Sequence, residues 1–431
     1  VSAPGQASAA VEKSVITFPE KFAKRQWAEW EHAVWGNPYG SYVREYMSPL
    51  ISRRMKDIGI GVALASSSWR NEREFEGAVR AGFQIMPMNC SFGAISVGHR
   101  PPKGKLSFQE QQALYLKTHD KQYLVRPVCL NDAKDLEPLA EKLREVASYA
   151  GWLKPIGYNL GDEMSVTHYV SAYDYDFAPA ALAAFRDWLK KSYGTLEALN
   201  AEWETSFASW DAVMPMTALE VKDRANKAPW ADHRAFMDDT FCGFFKWVRE
   251  RLREKDPEAG VGLSGSQAAE AYGGYNWRNL AAALDFAQTY THQNTEIMHR
   301  SFGPNLPRAP WHGYGVFNPN VRGAIWFRFC NSNYGGSYFS QNSLFNPDMT
   351  FSGTAKDMAP IIHELRGGLA TQLRGFPRAV DIGVHYSHAS IRAAFISGAA
   401  ALFRENRNGW IQALQDLGFQ CEFLATPELE A

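Results

Sequence analysis

Ile156-Gly-Tyr-Asn-Leu-Gly-Asp-Glu-Met-Ser165 is a short apolar run that ends on two adjacent carboxylates, Asp162 and Glu163. Residues 156–160 are apolar or aromatic apart from Asn159 and read as a buried parallel strand. An acid at the carboxyl end of such a strand is where barrel enzymes keep their chemistry. Two neighbouring carboxylates at a partly buried position must be paired, neutralised or used. The competing reading is a solvated Asp-Glu pair in a surface loop.

Working outward, apolar runs alternate with helical patterns. Met55–Ala65, Phe83–Asn89 and Tyr123–Leu130 read as the first three strands, and the run ending at Glu163 as the fourth. Val261–Ser266, Asp285–Tyr290, Arg308–Gly315 and Gly323–Cys330 read as the fifth to eighth. Helical spacing is predicted over 73–81, 107–119, 132–150 and 276–284. Further helices over 179–193, 195–203 and 232–255 fill an insertion after the fourth strand. Eight strands with helices between them predict an α/β fold, a (β/α)8 TIM barrel. The pattern restarts near residue 379, where Ala379–Tyr386, a helix over 408–417 and Phe419–Leu424 read as the opening βαβ of a doubly wound domain. The expected division is 1–376 for the catalytic barrel, with its helical insertion, and 377–431 for the truncated start of a flavodoxin-like domain.

Bulk properties exclude several classes. The 45 basic and 46 acidic residues give a net charge of −1, so no nucleic acid or anionic membrane partner is expected. No apolar run approaches the ~20 residues that cross a bilayer. The five cysteines are scattered without a Cys-x-x-Cys spacing, so neither a disulfide framework nor a zinc site is expected. No Gly-x-Ser-x-Gly elbow and no phosphate-binding glycine motif is present. No cofactor and no metal are expected. The start, Val-Ser-Ala-Pro-Gly-Gln without an apolar core, reads as a trimmed N-terminus, for which a periplasmic or secreted location is favoured over a cytoplasmic one. The 14 Trp, 18 Tyr and 26 Phe suit packed cores first, and also the flat apolar faces of a sugar cleft.

The stretch Phe185-Arg-Asp-Trp-Leu-Lys-Lys-Ser-Tyr-Gly-Thr-Leu-Glu-Ala-Leu-Asn-Ala-Glu-Trp-Glu-Thr-Ser-Phe207, continued by Ala208-Ser-Trp-Asp-Ala-Val213, resembles the segment that follows the fourth-strand acid in glycoside hydrolase family 42, the β-galactosidase-type barrels. The resemblance implies a retaining glycoside hydrolase acting on β-linked glycosides, a carbohydrate substrate, and a flavodoxin-like domain that builds a homo-trimer. Three departures mark the chain as divergent. Asp162 stands where the family has an Asn that contacts the sugar 2-hydroxyl. Tyr173–Pro179 stands where many members have a zinc-binding Cys cluster. Trp311-His-Gly-Tyr314 stands where the family's nucleophilic Glu closes the seventh strand.

Glycoside cleavage generally needs two carboxyl groups across the scissile bond. Glu163 is the acid/base candidate. Between residues 264 and 347 the acids are Glu270, Asp285 and Glu296. Asp285 starts the sixth strand, on the wrong face. Glu296 lies just beyond that strand and is chosen as nucleophile, with Glu270 and Asp162 as alternatives. Its competing role is a carboxylate stabilised by a helix N-terminus. Asp162, Trp69, Arg70, Asn89, Tyr290, His292, Trp311, His312, Trp326 and Asn331 are the substrate-binding candidates, from their positions in or just after strands. Asn131 is a further candidate after the third. A sugar-binding barrel without turnover, or an assembly scaffold, is the alternative that the missing seventh-strand Glu leaves open.

Overall fold

The structure is a computed structural model that describes residues 31–35, 49–66, 72–90, 104–290, 294–312, 321–331, 335–339, 344–374 and 379–430. Eight parallel strands form its centre: β1 (Glu31–Trp35), β2 (Val62–Ser66), β3 (Gln84–Met88), β4 (Tyr158–Asp162), β5 (Val261–Ser266), β6 (Phe286–Thr289), β7 (Trp311–His312) and β8 (Gly335–Phe339). They pair as β3-β2-β1-β8-β7 and as β4-β5-β6. Backbone hydrogen bonds close the two seams. Ile156 N–H donates to Ile85 O at 2.9 Å and Cys90 N–H to Asn159 O at 3.2 Å. Ala309 N–H donates to Ala287 O at 3.0 Å, and Ala287 N–H to Pro307 O at 2.9 Å. The result is a closed (β/α)8 ring, in which each described barrel strand has a neighbour on both sides.

The barrel interior is filled by Ala33, Val62, Leu64, Met86, Met88, Ile156, Phe286, Ala309 and Trp311. Phe286 fits because two neighbours have no side chain. A Cβ at Gly157 would meet the Phe286 ring at 2.4 Å, and one at Gly262 would meet the Phe286 carbonyl oxygen at 2.5 Å. Phe286→Ala is therefore expected to cost about 3–5 kcal/mol through lost burial and an unfilled cavity. Denaturant unfolding checks this; a loss under ~1 kcal/mol would mean that the barrel collapses into the space. Above this layer a polar ladder crosses the barrel. Asn159 Nδ2 donates to Gln288 Oε1 at 2.6 Å, Gln288 Nε2 to Ser337 Oγ at 2.7 Å, and Ser337 Oγ to Ala309 O at 2.9 Å.

Three expected strands need correction, and two of the errors cancel. The first strand is shorter than Met55–Ala65, because its opening residues finish the helix Pro49–Ile58. The first strand is Glu31–Trp35, which lies before the expected runs. Tyr123–Leu130 is not a strand. It begins in a 3-10 turn, Lys121–Leu124, capped by Asp120, and Pro127 denies it a ladder hydrogen bond. Its polar groups find partners in the loop after β4: Arg126 N–H donates to Asp176 Oδ1 at 3.0 Å, and Leu124 O accepts from Phe177 N–H at 3.0 Å. One strand more at 31–35 and one fewer at 123–130 leave the carboxylate strand as the fourth. Gly323–Cys330 is the helix Val321–Cys330, whose buried residues Val321, Ile325 and Phe329 recur every four positions. The eighth strand is Gly335–Phe339.

The insertion helices fall where their periodicity puts them, at Pro179–Tyr193, Leu196–Trp203 and Ala228–Arg253. Beyond the barrel, β9 (Ile382–Tyr386) and β10 (Cys421–Ala425) pair in parallel, with helices His388–Ile396 and Ala400–Asp416 between them. This unit is anchored to the barrel's outer helices. Arg300 Nη2 donates to Cys421 O at 2.7 Å, Phe423 N–H donates to Ser301 Oγ at 2.8 Å, and buried Asp238 pairs with Arg392 and lies 3.3 Å from His388 Nε2. Among the described residues no helix is long and apolar enough to cross a membrane.

Candidate active site at the carboxyl end of the barrel

Asp162 is the last residue of β4, and Glu163 follows it with φ +48°. That left-handed conformation costs a non-glycine residue on the order of 1–3 kcal/mol, and surrounding structure must hold it. Here Glu163 N–H donates to Ser264 O at 3.0 Å, and the Tyr290 hydroxyl donates to Glu163 Oε1 at 2.9 Å. The register of β4 against β5 shifts between Asn159 and Asp162, and that of β5 against β6 shifts between Ser264 and Ser266. Such irregularities re-aim side chains at strand ends. Gly265, with φ +58°, fills the second irregularity. A Cβ there would lie 2.5 Å from Asp162 Oδ1, 2.9 Å from Glu163 Cγ and 3.1 Å from the Tyr290 hydroxyl. Three side chains therefore close over one glycine.

Burial first, and the Glu163 charge second, push the Asp162 carboxyl up to about 7. The Ser264 hydroxyl opposes this by hydrogen bonding to Asp162, and Trp311 Nε1 donates in turn to Ser264 Oγ at 2.7 Å. Tyr169, in the loop after β4, has its phenol raised by burial and then by the charges of Glu163 and Asp162. Ser264, Gly265 and Tyr169 were not anticipated from the sequence; the Ser264-Gly265-Ser266 end of β5 was the available signal.

The raised Asp162 carboxyl has a consequence for stability. A folded-state pKa above the unfolded value contributes stability that is complete below the unfolded value near 3.8, and is lost as pH rises through about 7. Asp162→Asn removes this titration, so between ~pH 5 and ~pH 8 the variant's Tm is expected to fall less than that of the parent. Equal losses in the two proteins would refute the burial of this carboxyl.

Glu296 lies in the first turn of the helix Thr295–Phe302, directly after β6, and is 5% exposed. Burial raises its carboxyl to about 7 against the opposing charges of Arg328, Arg308 and Arg300. Neither carboxylate oxygen has a hydrogen-bond partner among the described residues. The helix start is tied to the site through Thr295 Oγ1, which donates to Tyr290 O at 2.9 Å. The described contacts thus join Glu163 to Asp162, Ser264 and Tyr290, and set Glu296 among arginines.

The other candidates divide. Trp311 is buried against Ser264, and His312 is buried edge-on to the Tyr338 ring at 5.0 Å. Asn89 follows β3 with φ +59°. Trp326 sits on the helix Val321–Cys330, edge-on to Phe329 at 6.0 Å, rather than on a strand. Asn331, just after that helix, accepts from Arg300 Nη1 at 2.8 Å and donates to Phe327 O at 3.0 Å. Glu270 pairs with Arg404 of the C-terminal unit at 3.5 Å, and Asp285 with Arg249 at 2.7 Å. Trp69, Arg70 and His292 lie outside the described residues.

The sequence profile described as Beta-galactosidase, of glycoside hydrolase family 42, matches residues 129–305, which include Asp162, Glu163 and Glu296. Over those residues the chain resembles glycoside hydrolase family 42. A stretch of 98 residues, 22% of the chain, is 31% identical to the β-galactosidase LacZ of Heyndrickxia coagulans and spans 14% of that relative's length. Among solved structures, the β-galactosidase of Bacillus circulans sp. alkalophilus superposes with a TM-score of 0.68 at 16% identity, over 93% of this chain and 66% of that one. The β-galactosidase of the psychrophilic Marinomonas ef1 gives 0.66 at 17% identity, over 92% and 70%. The two superpositions show the same fold across nearly the whole of the chain.

Proposed function

We propose that this chain is a retaining glycoside hydrolase that cleaves β-linked glycosides, β-galactosides or related oligosaccharides, and that Glu163 is its acid/base. The observation that carries the reading is the cluster of Asp162, Glu163 and Tyr290 around Gly265 at the carboxyl end of β4, inside the matched residues 129–305. In the first step Glu163 protonates the glycosidic oxygen as the bond to the anomeric carbon breaks, and Glu296 attacks that carbon to form a glycosyl ester. In the second step Glu163 takes a proton from water, which displaces Glu296. Thr295 links Glu296 to the backbone of Tyr290, the residue that holds Glu163. Glu296 must be ionised to attack, so with its carboxyl raised to about 7 this step is expected to gain rate as pH rises through that value.

Asp162 is proposed to bind a sugar hydroxyl. Below about pH 7 its carboxyl keeps a proton and donates, as an amide in that place would. The remaining candidates, Trp69, Arg70, Asn89, His292, Trp311, His312, Trp326 and Asn331, are proposed as cleft residues, with Trp326 and Asn331 supported least because their described contacts lie on an outer helix. The chain is proposed to divide at 376/377, with residues 377–431 as a flavodoxin-like oligomerising unit. The parallel β9/β10 pair with its helical crossover supports that reading.

A mechanism-based 2-deoxy-2-fluoro glycoside tests the pair. The expected result is a stoichiometric mass increase located on the peptide that contains Glu296. A second reading, a barrel that binds sugar without turnover, draws on one observation: Glu296 is buried among three arginines and β7 ends in Trp311-His312, with no acid. Sugar binding without labelling or hydrolysis would favour it.

A further inference from the structure

A groove of about 410 Å³ lies on the outer wall of the barrel, between the start of the helix Ala133–Ala150 and the helices Pro179–Tyr193 and Ala228–Arg253. It contains no strand residue and none of Asp162, Glu163, Tyr290 or Glu296. Its size falls within the ~300–1,000 Å³ of small-ligand sites.

Two partly exposed indoles border it. Trp188 is fixed by its Nε1 donating to Asp239 Oδ2 at 2.9 Å. Trp247 is stacked on Phe244 at 5.9 Å, with the Arg251 guanidinium over its ring. Thr240, Gly243 and Trp247 share one face of the long helix through their spacing of three and four. Two polar atoms in the groove are unsatisfied among the described residues: the hydroxyl oxygen of Thr240, a residue 8% exposed, and Oδ1 of Asn131. Groups of this kind are normally paired or served by a ligand or water.

We infer that this groove is a second saccharide-binding site, separate from the barrel mouth. Sugar rings present C–H faces that rest on indoles, and hydroxyls that donate to atoms such as Thr240 Oγ1 and Asn131 Oδ1. A purely apolar ligand would bury both oxygens without partners. The charged groups lining the groove are Asp187, Asp239 and Lys191, so the carboxylates outnumber the ammonium and an anion is disfavoured. A neutral polyol with one apolar face satisfies all of these groups. Such a site would hold a distant part of a long substrate while its end occupies the barrel.

Gly243 makes the idea testable. A Cβ built there meets nothing within 4 Å, so the backbone accepts a side chain at 243, and Gly243→Leu adds bulk to the groove wall while improving helix propensity. The probe is a β-linked galactotetraose, added to protein carrying Glu163→Gln so that it is not consumed. Hydrogen exchange is expected to slow in peptides covering 184–191 and 236–247. Gly243→Leu is expected to abolish that protection and weaken binding about tenfold, and Thr240→Val, which keeps the shape, to reduce the protection. Protection of 158–169 reports sugar binding at the barrel mouth, and hydrolysis of the same tetraose by the parent protein reports the proposed activity, so failure of either is distinguishable from failure of the groove. No slowing in 184–191 and 236–247, or slowing that Gly243→Leu leaves unchanged, would overturn the inference.

Discussion

Glu163→Gln is expected to lower kcat on alkyl β-galactosides by about 10²–10⁴-fold, the range of a positioned general acid/base. The loss is expected to be much smaller for the first step with an activated aryl leaving group, which departs without a proton. The fold is expected to survive. A Gln carbonyl accepts the hydrogen bond that the Tyr290 hydroxyl makes to Glu163 Oε1, and the backbone bond to Ser264 O is unaffected. The readouts are leaving-group dependence and Tm. A uniform loss across leaving groups would assign Glu163 to binding rather than proton transfer.

Gly265→Ala is expected to be nearly as damaging to activity, although the change adds one carbon. Its φ of +58° disfavours any Cβ, and the new atom would lie 2.5 Å from Asp162 Oδ1 and 2.9 Å from Glu163 Cγ. Either the carboxylates or the end of β5 must move. Displacements of about 1 Å in a catalytic group cost on the order of 10²-fold in rate, while the stability cost of a left-handed alanine is only about 1–2 kcal/mol. A kcat/KM loss far larger than the loss in Tm explains is therefore expected. Gly409→Ala, at a helical glycine with open space around it, serves as the control and is expected to leave activity unchanged and Tm level or slightly raised. Full activity in Gly265→Ala would remove this glycine, and the geometry built on it, from the site.

Much of the fold was legible because its signals were local. The run ending in Asp162-Glu163 reads as a strand that stops on charge, and β4 ends at Asp162. The helix over 179–193 was legible to the residue, because Pro179 starts it and Gly194 ends it. What failed were apolar runs whose identity depends on partners elsewhere in the chain. Val321–Cys330 carries as many apolar residues as a buried strand, and only its packing makes it a helix. Tyr123–Leu130 looks extended until the loop after β4 supplies its hydrogen bonds. At the site, acids announce themselves in a sequence, whereas the roles of Ser264 and Gly265 arise only when β4, β5 and β6 lie side by side. Asn131 shows the converse: read as a residue of the barrel mouth, it lines the outer groove.

The central claim is tested most directly by following the hydrolysis of a β-galactoside by proton NMR and identifying the anomer formed first. Early appearance of the β-anomer, before mutarotation, is the expected result and would fit a two-carboxylate retaining site. First release of the α-anomer would contradict retention and place a water, not Glu296, opposite Glu163. Binding without any product would contradict catalysis itself and leave a barrel that holds sugar.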